Sequence, residues 1–279
     1  MLIWVRVALI SRVDRAVSGL AALLRVIGHE PVGALTTSLG AGRYGADTLG
    51  AIARQAEDGF DVVVAGSPSR IAPLLAALDA DVAISAAFPM LIPADALDVL
   101  PLGIVNTHPS LLPRYRGPNP IAWTVRNGDH ELGYSVHRMD AAFDSGPLLA
   151  QGTMPIDDVE DSSEVFERMF ALLASLLPVA LLRVQNGDPG DPQPGGQATY
   201  AGFFEPEYVE IDWSRSAAVV RRQVLAWSVA AARPSARGAL TTLGGERVRV
   251  LRVRFDDAEG GTRVDCADAA LWVVVTEPA

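Results

Sequence analysis

The feature that most constrains the fold is the alternation of short apolar runs with helical patterns over the first hundred residues. Residues 61–65 (DVVVA) and 82–86 (VAISA) are almost entirely apolar, so strands formed by them must be covered on both faces. Helical patterns separate these runs, such as residues 16–27, which Gly28 ends. Continuous apolar strands alternating with helices predict an α/β fold with a mostly parallel sheet. The predicted strands are residues 5–11, 31–36, 61–65, 82–86 and 102–105.

The topology is expected to be Rossmann-like but without a dinucleotide site. No Gly-x-Gly-x-x-Gly pattern follows the first strand, where the sequence is Ser11-Arg12-Val13-Asp14. The glycines of that pattern bring the backbone close to a pyrophosphate, and their lack argues against NAD.

The remainder of the chain predicts a long helix, a linker and a small β-rich domain. Asp161-Ser162-Ser163-Glu164 is a capping-box pattern that opens a helix through Val184. Residues 186–197 are too rich in glycine and proline for regular structure. A helix over 216–229 and four alternating segments from 237 to 276 follow. We therefore expect a catalytic domain over 1–185, a linker and connecting segment over 186–212, and a shortened, barrel-like β domain over 213–279.

Residue usage excludes several kinds of chemistry. All 23 basic residues are arginine, which excludes lysine Schiff bases and a P-loop. The single cysteine, Cys266, excludes an internal disulfide and any cysteine-rich metal site. No metal is expected, because His29, His130 and His137 lack ligand spacing to one another.

No apolar run reaches the ~18 residues of a membrane span, and the apolar start of the chain reads as a strand rather than a signal peptide. We therefore expect a cytoplasmic protein with no membrane partner. The oligomeric state stays open.

Charge is unevenly distributed along the chain. The net charge is −10, made of −13 over residues 1–212, +8 over 213–254 and −5 over 255–279. The basic stretch 213–254 contains nine arginines and only Glu246 as an acidic residue. It indicates either solvated strand and helix faces, which we favour, or a site for a phosphate-bearing substrate.

A polar pattern begins where the fifth predicted strand ends. Asn106 and His108 are two residues apart, so in an extended chain both side chains point to one side. The proline- and glycine-rich stretch 109–120 must then cross the open end of the sheet, where ligands of open α/β folds bind. Asp144 follows a further apolar strand in an Asp-Ser-Gly turn. We expect the amide, imidazole and carboxylate to face one pocket.

These residues belong to two longer motifs. Asn-x-His-x-Ser-Leu-Leu-Pro-x-x-Arg-Gly is met by Asn106, His108, Ser110, Leu111, Leu112, Pro113, Arg116 and Gly117, and Met-Asp-x-x-x-Asp-x-Gly by Met139, Asp140, Asp144 and Gly146. Correctly ordered and spaced, they resemble the motifs of the folate-dependent formyltransferases, and the resemblance covers roughly residues 1–185.

The resemblance implies transfer of a formyl group from N10-formyltetrahydrofolate to an amine through a tetrahedral intermediate. His108 would accept the amine proton or polarise the carbonyl. Asp144 would orient the imidazole and stabilise its protonated form, or relay protons through a bound water. Asn106 would donate to the developing oxyanion. His137 is the nearest rival base, but its place in the strand is expected to face it away.

The resemblance also implies two segments that hold the pterin ring between apolar walls and backbone polar groups. They are Phe88, Pro89, Met90, Leu91 and Ile92, and Arg138, Met139, Asp140, Ala141, Ala142 and Phe143. Met90, Leu91 and Ile92 could equally be core residues. Ala141, Ala142 and Phe143 replace the acidic and glycine residues usual in the family, which makes the detailed pterin contacts the least defined part of this site.

The acceptor amine is the open question. Transfer-RNA formyltransferases carry a basic, glycine-rich insertion after the second strand, whereas residues 37–47 hold a single arginine. With the acidic first domain, this favours a small amine over tRNA. Ser110, Arg114, Tyr115 and Arg116 lie where an acceptor would pass, and Arg114 or Arg116 could bind its carboxylate or phosphate. The alternatives are a methionyl-tRNA formyltransferase and a formyltetrahydrofolate hydrolase or non-catalytic folate binder.

Overall fold

The structure is a computed structural model that describes residues 4–38, 47–57, 59–157, 159, 161–230, 238–256 and 260–279. The glycine-rich loop over 37–47 holds a single arginine, which is one reason to favour a small amine over tRNA. Most of this loop lies outside the described residues.

Seven strands of the described chain form one sheet in the order β3-β2-β1-β4-β5-β6-β7. The pairs β1–β2, β1–β4, β2–β3 and β4–β5 are parallel, while β5–β6 is antiparallel, so the mostly parallel sheet predicted from the apolar runs is confirmed. The strands are β1 Arg6–Ser11, β2 Glu30–Thr37, β3 Asp61–Ala65, β4 Val82–Ala86, β5 Ile104–His108, β6 Glu131–Arg138 and β7 Leu148–Pro155.

The described α-helices are α1 Asp14–Val26, α2 Asp47–Ala53, α3 Ile71–Ala77, α4 Ala94–Leu97, α5 Pro120–Asn127, α6 Ser162–Gln185 and α7 Ala217–Val229. Pro178 lies inside α6 without ending it. In the part of the chain that the structure describes, α6 is the one helix long and apolar enough to cross a membrane by length and composition. A single such helix is weak evidence, because core helices pass the same test.

The small β-rich region follows α7 and is antiparallel. Its strands pair in the order β10-β11-β9-β8 and share an apolar core with one face of α7, in which Val220 and Val224 pack with Val250 and Leu271. The strands are β8 Ala239–Leu243, β9 Glu246–Arg254, β10 Thr262–Asp265 and β11 Ala270–Pro278. This confirms the small β region expected near the C-terminus.

The compact units differ from the domain boundaries expected at 185 and 212. One unit comprises Met1–Gly117, Gly133–Thr153 and Ala171–Tyr200; the other comprises Pro118–Leu132, Met154–Phe170 and Ala201–Ala279. Within the first, the expected linker is bonded to β7, because Leu148 and Asp191 exchange backbone hydrogen bonds of 2.7 and 2.8 Å. Residues 188–193 are therefore part of the folded unit and not a free connector.

Candidate active site

Strand register brings four polar side chains to one face of β5 and β6. In this antiparallel pair Asn106 lies opposite His137, and His108 lies opposite Ser135. Residues directly opposite each other on paired strands project to the same face. The expectation that His137 faces away is therefore wrong: the register places it beside Asn106.

His137 is a neutral hydrogen-bond acceptor. Its side chain is 2% exposed, and burial first, then the neighbouring His108, lowers its pKa to about 4. Nδ1 lies 2.8 Å from the carbonyl oxygen of Arg138, which can only accept, so Nδ1 carries the proton and Nε2 holds the lone pair.

The amide of Asn106 is oriented by two acceptors. Its Nδ2 lies 3.1 Å from Nε2 of His137 and 3.3 Å from Oδ1 of Asp144. Both neighbours accept, so the NH₂ group must point toward them. The bond to Asp144 is the longer of the two and is the one that another acceptor would displace more easily.

The sequence suggested that Asp144 orients the imidazole of His108, but the structure shows that a backbone carbonyl holds the ring. Its Nε2 donates to the carbonyl oxygen of Tyr115 at 2.8 Å. Its Nδ1 lies 3.5 Å from Oδ1 of Asp144, a distance suited to an ion pair but too long for a strong hydrogen bond. In the neutral ring Nδ1 therefore holds the lone pair, and the imidazolium formed by its protonation would be stabilised by Asp144.

Asp144 is fixed through both carboxylate oxygens. Oδ2 accepts from the backbone N–H of Gly117 at 2.8 Å, while Oδ1 accepts from Asn106. Asp144 has a φ of 54° and Tyr115 a φ of 57°, so both non-glycine residues adopt the left-handed conformation. Such residues cost on the order of 1–3 kcal/mol each and persist where the surroundings hold them, commonly at functional sites.

The loop over 109–120 is held together by its own polar side chains. Ser110 is 1% exposed, and its hydroxyl donates to the carbonyl of Arg114 at 2.7 Å. Ser110 therefore closes the turn and does not face an acceptor, in contrast to the sequence-based expectation. Tyr115 is also buried, and the guanidinium of Arg114 lies 4.8 Å from its ring centroid.

The guanidinium of Arg116 is bonded to a neutral side chain. Its Nε and Nη2 both donate to the side-chain oxygen of Gln193, at 3.2 and 2.5 Å. Because that partner is a neutral amide, this contact does not neutralise the positive charge of Arg116.

The segment 138–146 is tightly folded and held by hydrogen bonds of its own side chains. The carboxylate of Asp140 accepts from the hydroxyl of Ser145 at 2.7 and 2.9 Å and from the backbone of Ala142 at 3.1 Å. A Cβ at Gly146 would lie 1.9 Å from the carbonyl oxygen of Arg138, so only glycine fits there.

The expected pterin segments divide into core and accessible residues. Ile92 is 1% exposed and belongs to the apolar core of the large sheet, so its side chain does not face a ligand. Arg138 points to backbone carbonyls, donating to those of Leu102 and Asp188. Phe88, Met90 and Met139 pack on the core while partly accessible, and Leu91 and Phe143 are exposed.

Sequence reasoning missed Gln193. Its Nε2 donates to the carbonyl oxygens of Asp144 and Gly146, both at 2.9 Å. The proline- and glycine-rich surroundings of Gln193 carry no periodic pattern, and no signal in the sequence marks its contact with the site. Within the described ranges no group of three His, Cys, Asp or Glu side chains could hold a metal ion.

Comparison with known proteins identifies the family. Residues 53–181 match the family described as Formyl transferase. The chain is 36% identical over 198 residues to the methionyl-tRNA formyltransferase of Ruegeria pomeroyi, covering 71% of this chain and 63% of that protein. It is 35% identical over 206 residues to that of Paracoccus denitrificans, covering 71% of this chain and 67% of that protein. The chain belongs to the folate-dependent formyltransferase family.

Two solved structures share the formyltransferase fold. HypX from Aquifex aeolicus, in complex with tetrahydrofolic acid, superposes with a TM-score of 0.74 at 17% identity over 98% of this chain and 44% of that chain. WlaRD, a sugar 3N-formyltransferase, superposes with a TM-score of 0.63 at 15% identity, over 98% of this chain and 97% of that one. At these identities the likeness is one of fold.

Proposed function

We propose that this chain transfers a formyl group from N10-formyltetrahydrofolate to the amine of a small biosynthetic acceptor, such as an amino sugar, hydroxyornithine or an aminoacyl group. The observation that carries the proposal is the convergence of Asn106, His108, His137 and Asp144 in one largely buried cluster. Membership of the family supports the same reaction class.

The proton from the attacking amine goes to Nδ1 of His108, and the imidazolium returns it to N10 of the folate as the N10–formyl bond breaks and tetrahydrofolate leaves. In the neutral ring Nδ1 holds the lone pair because Nε2 donates to the carbonyl of Tyr115. The imidazolium is paired with Oδ1 of Asp144, 3.5 Å away, and both side chains are shielded, at 6% and 11% exposure. Shielding strengthens the attraction between these two charges relative to water.

Asn106 stabilises the oxyanion that develops on the formyl oxygen when the amine attacks the formyl carbon. Its bond to His137 keeps the amide oriented, while the longer bond to Asp144 can be exchanged for the oxyanion. As Asp144 pairs with the imidazolium, the hydrogen bond from Asn106 to Asp144 weakens. Proton uptake and oxyanion stabilisation are thereby coupled through one carboxylate.

N10-formyltetrahydrofolate would supply the activated formyl group. The accessible surfaces of Phe88, Met90, Leu91 and Phe143 offer the apolar contacts that a flat heteroaromatic ring requires.

Charge supports a small acceptor. The arginine-rich stretch 213–254 is partly neutralised, since Arg247 pairs with Glu210, Arg252 with Asp161 at 3.4 Å and Arg254 with Asp256 at 2.9 Å. Arg116 supplies a cation for an acceptor carboxylate or phosphate. The solved relative WlaRD acts on a sugar amine.

A methionyl-tRNA formyltransferase is the second candidate, because that is the activity named for the relatives at 35–36% identity. Competition between charged initiator tRNA and a panel of amino sugars, hydroxyornithine and free amino acids separates the two. We expect turnover of a small amine in preference to tRNA. Efficient formylation of tRNA, with no small amine turned over, would establish the second candidate instead.

A further inference from the structure

We infer that Gln193 is a positioning residue that holds the Asp144 turn in its catalytic geometry and orients the guanidinium of Arg116. Both of its amide hydrogens go to the Asp144 turn, as donors to the carbonyls of Asp144 and Gly146. Its oxygen accepts twice from Arg116. One side chain thus links the proposed proton-relay carboxylate to the proposed acceptor cation, and the catalytic part of the inference rests on the proposed function.

The Asp144 turn needs such an anchor. Asp144 adopts a left-handed φ of 54°, which a side chain with a Cβ tolerates only when its surroundings enforce it. Gln193 bonds the carbonyls on both sides of Ser145, so it constrains the peptide units that set this conformation. Losing both bonds would let the turn relax and draw the carboxylate away from the N–H of Gly117.

The anchor is itself fixed. Asp191 is paired with Leu148 in β7, and its carboxylate accepts from Arg183 at 2.8 Å. Arg183 also donates to Asp188 at 2.6 Å, and Asp188 in turn accepts from the backbone of Gly190 at 2.8 Å. Gln193 therefore extends from a segment bonded to a strand and to α6, which allows it to transmit a defined position.

The link to Arg116 adds a second role. Two donors of the guanidinium meet the amide oxygen of Gln193, which fixes the plane of the group and leaves its charge intact. A carboxylate in place of this amide would neutralise Arg116. The amide thus keeps an oriented and still charged guanidinium for an anionic acceptor.

Two substitutions separate these roles. Gln193→Met keeps the length of the side chain but removes all four hydrogen bonds. Gln193→Glu keeps an acceptor for Arg116 but loses the donors and adds a negative charge beside two carbonyls. Gln197→Met, at an exposed position of the same segment, is the matched control.

Crystal structures of Gln193→Met and Gln197→Met test the anchoring directly and do not depend on any activity. We expect Asp144 to leave its left-handed conformation and its bond to Gly117 only in the Gln193 variant. An Asp144 turn unchanged in Gln193→Met would overturn the inference, whatever reaction the protein catalyses.

Kinetics with N10-formyltetrahydrofolate and the best acceptor test the consequence. A displacement of about 1 Å can cost on the order of 100-fold in rate, so we expect kcat to fall 10- to 100-fold in both Gln193 variants. Gln193→Glu should also raise the KM for an anionic acceptor at least fivefold. The KM for the folate and the activity of Gln197→Met should stay near the parent values. If both Gln193 variants keep kcat and KM within threefold of the parent values, the positioning role is refuted. If the parent protein itself is inactive, the proposed function fails, and the crystal structures still decide whether Gln193 anchors the Asp144 turn.

Discussion

Replacing His137 by glutamine should remove a large part of the acid sensitivity of the fold. Glutamine offers an acceptor for Asn106 and a donor for the carbonyl of Arg138, so it can keep both contacts of the imidazole without titrating. In the folded protein the pKa of His137 is lowered to about 4, first by burial and then by His108. An exposed histidine titrates near 6.5.

This difference between the folded and unfolded pKa sets the direction and the magnitude of the change in stability with pH. Because the folded pKa is depressed, the unfolded chain binds the proton more tightly, and stability is lost as pH falls from about 6.5 to about 4. Each pKa unit corresponds to about 1.4 kcal/mol, so the full loss is roughly 3 kcal/mol. Burial lowers the pKa of His29 as well, and the same trend from that residue should remain in the variant.

Urea unfolding at several pH values between 7.5 and 4.5 measures how the free energy of unfolding changes with pH, and this change is compared between the parent and the variant. The parent should lose roughly 2 to 3 kcal/mol more than His137→Gln across this range. His130→Gln is the control, since His130 is exposed and hydrogen-bonded to Asp157, which raises its pKa. Equal pH dependence in the parent and His137→Gln would refute the neutral, buried state of His137 on which the orientation of Asn106 depends.

Three further predictions follow from the site. Asn106→Ala, His108→Ala and Asp144→Ala should each lower the rate of formyl transfer on the order of 100-fold or more, measured by turnover, while the folate affinity measured by calorimetry changes little. Turnover near the parent value in all three variants would refute the proposed site. Gly146→Ala should destabilise the protein by about 1–3 kcal/mol in thermal denaturation, because the added Cβ meets the carbonyl of Arg138, whereas Gly66→Ala, with nothing within 4 Å, should not. 5-Formyltetrahydrofolate should stabilise the protein by about 2.7 kcal/mol at a hundredfold excess over its dissociation constant, and stabilisation by NAD with none by the folate would contradict the proposed ligand.

The strands could be predicted because their burial is recorded in local sequence. Residues 61–65 and 82–86 have the predicted bounds. Strand β4 is buried along its whole length, as expected for a run covered on both faces, whereas β3 is the edge strand of the sheet and leaves Val64 42% exposed. Asn106 and His108 share a face because the period of an extended chain is two residues, which needs no tertiary knowledge.

Contacts that depend on register or on docking of irregular segments could not be predicted. The side to which His137 points relative to Asn106 is set by the pairing of β5 with β6, and that register is not visible within either strand. Gln193 lies in a stretch whose composition indicates a linker, yet backbone bonds between Leu148 and Asp191 dock it onto the sheet. Ser110 shows the reverse, since its motif indicated a ligand contact while its hydroxyl closes a turn.

The most direct test of the proposed reaction follows the formyl group itself. The purified chain is incubated with N10-formyltetrahydrofolate carrying a ¹³C-formyl group and with the amine panel, and the products are read by NMR and mass spectrometry for the parent and for His108→Ala. The label should appear as a formamide on one amine, in equal amount to the tetrahydrofolate released, and should vanish in the variant. Label recovered as free formate in the presence of every amine, or no release of tetrahydrofolate at all, would contradict formyl transfer by this site.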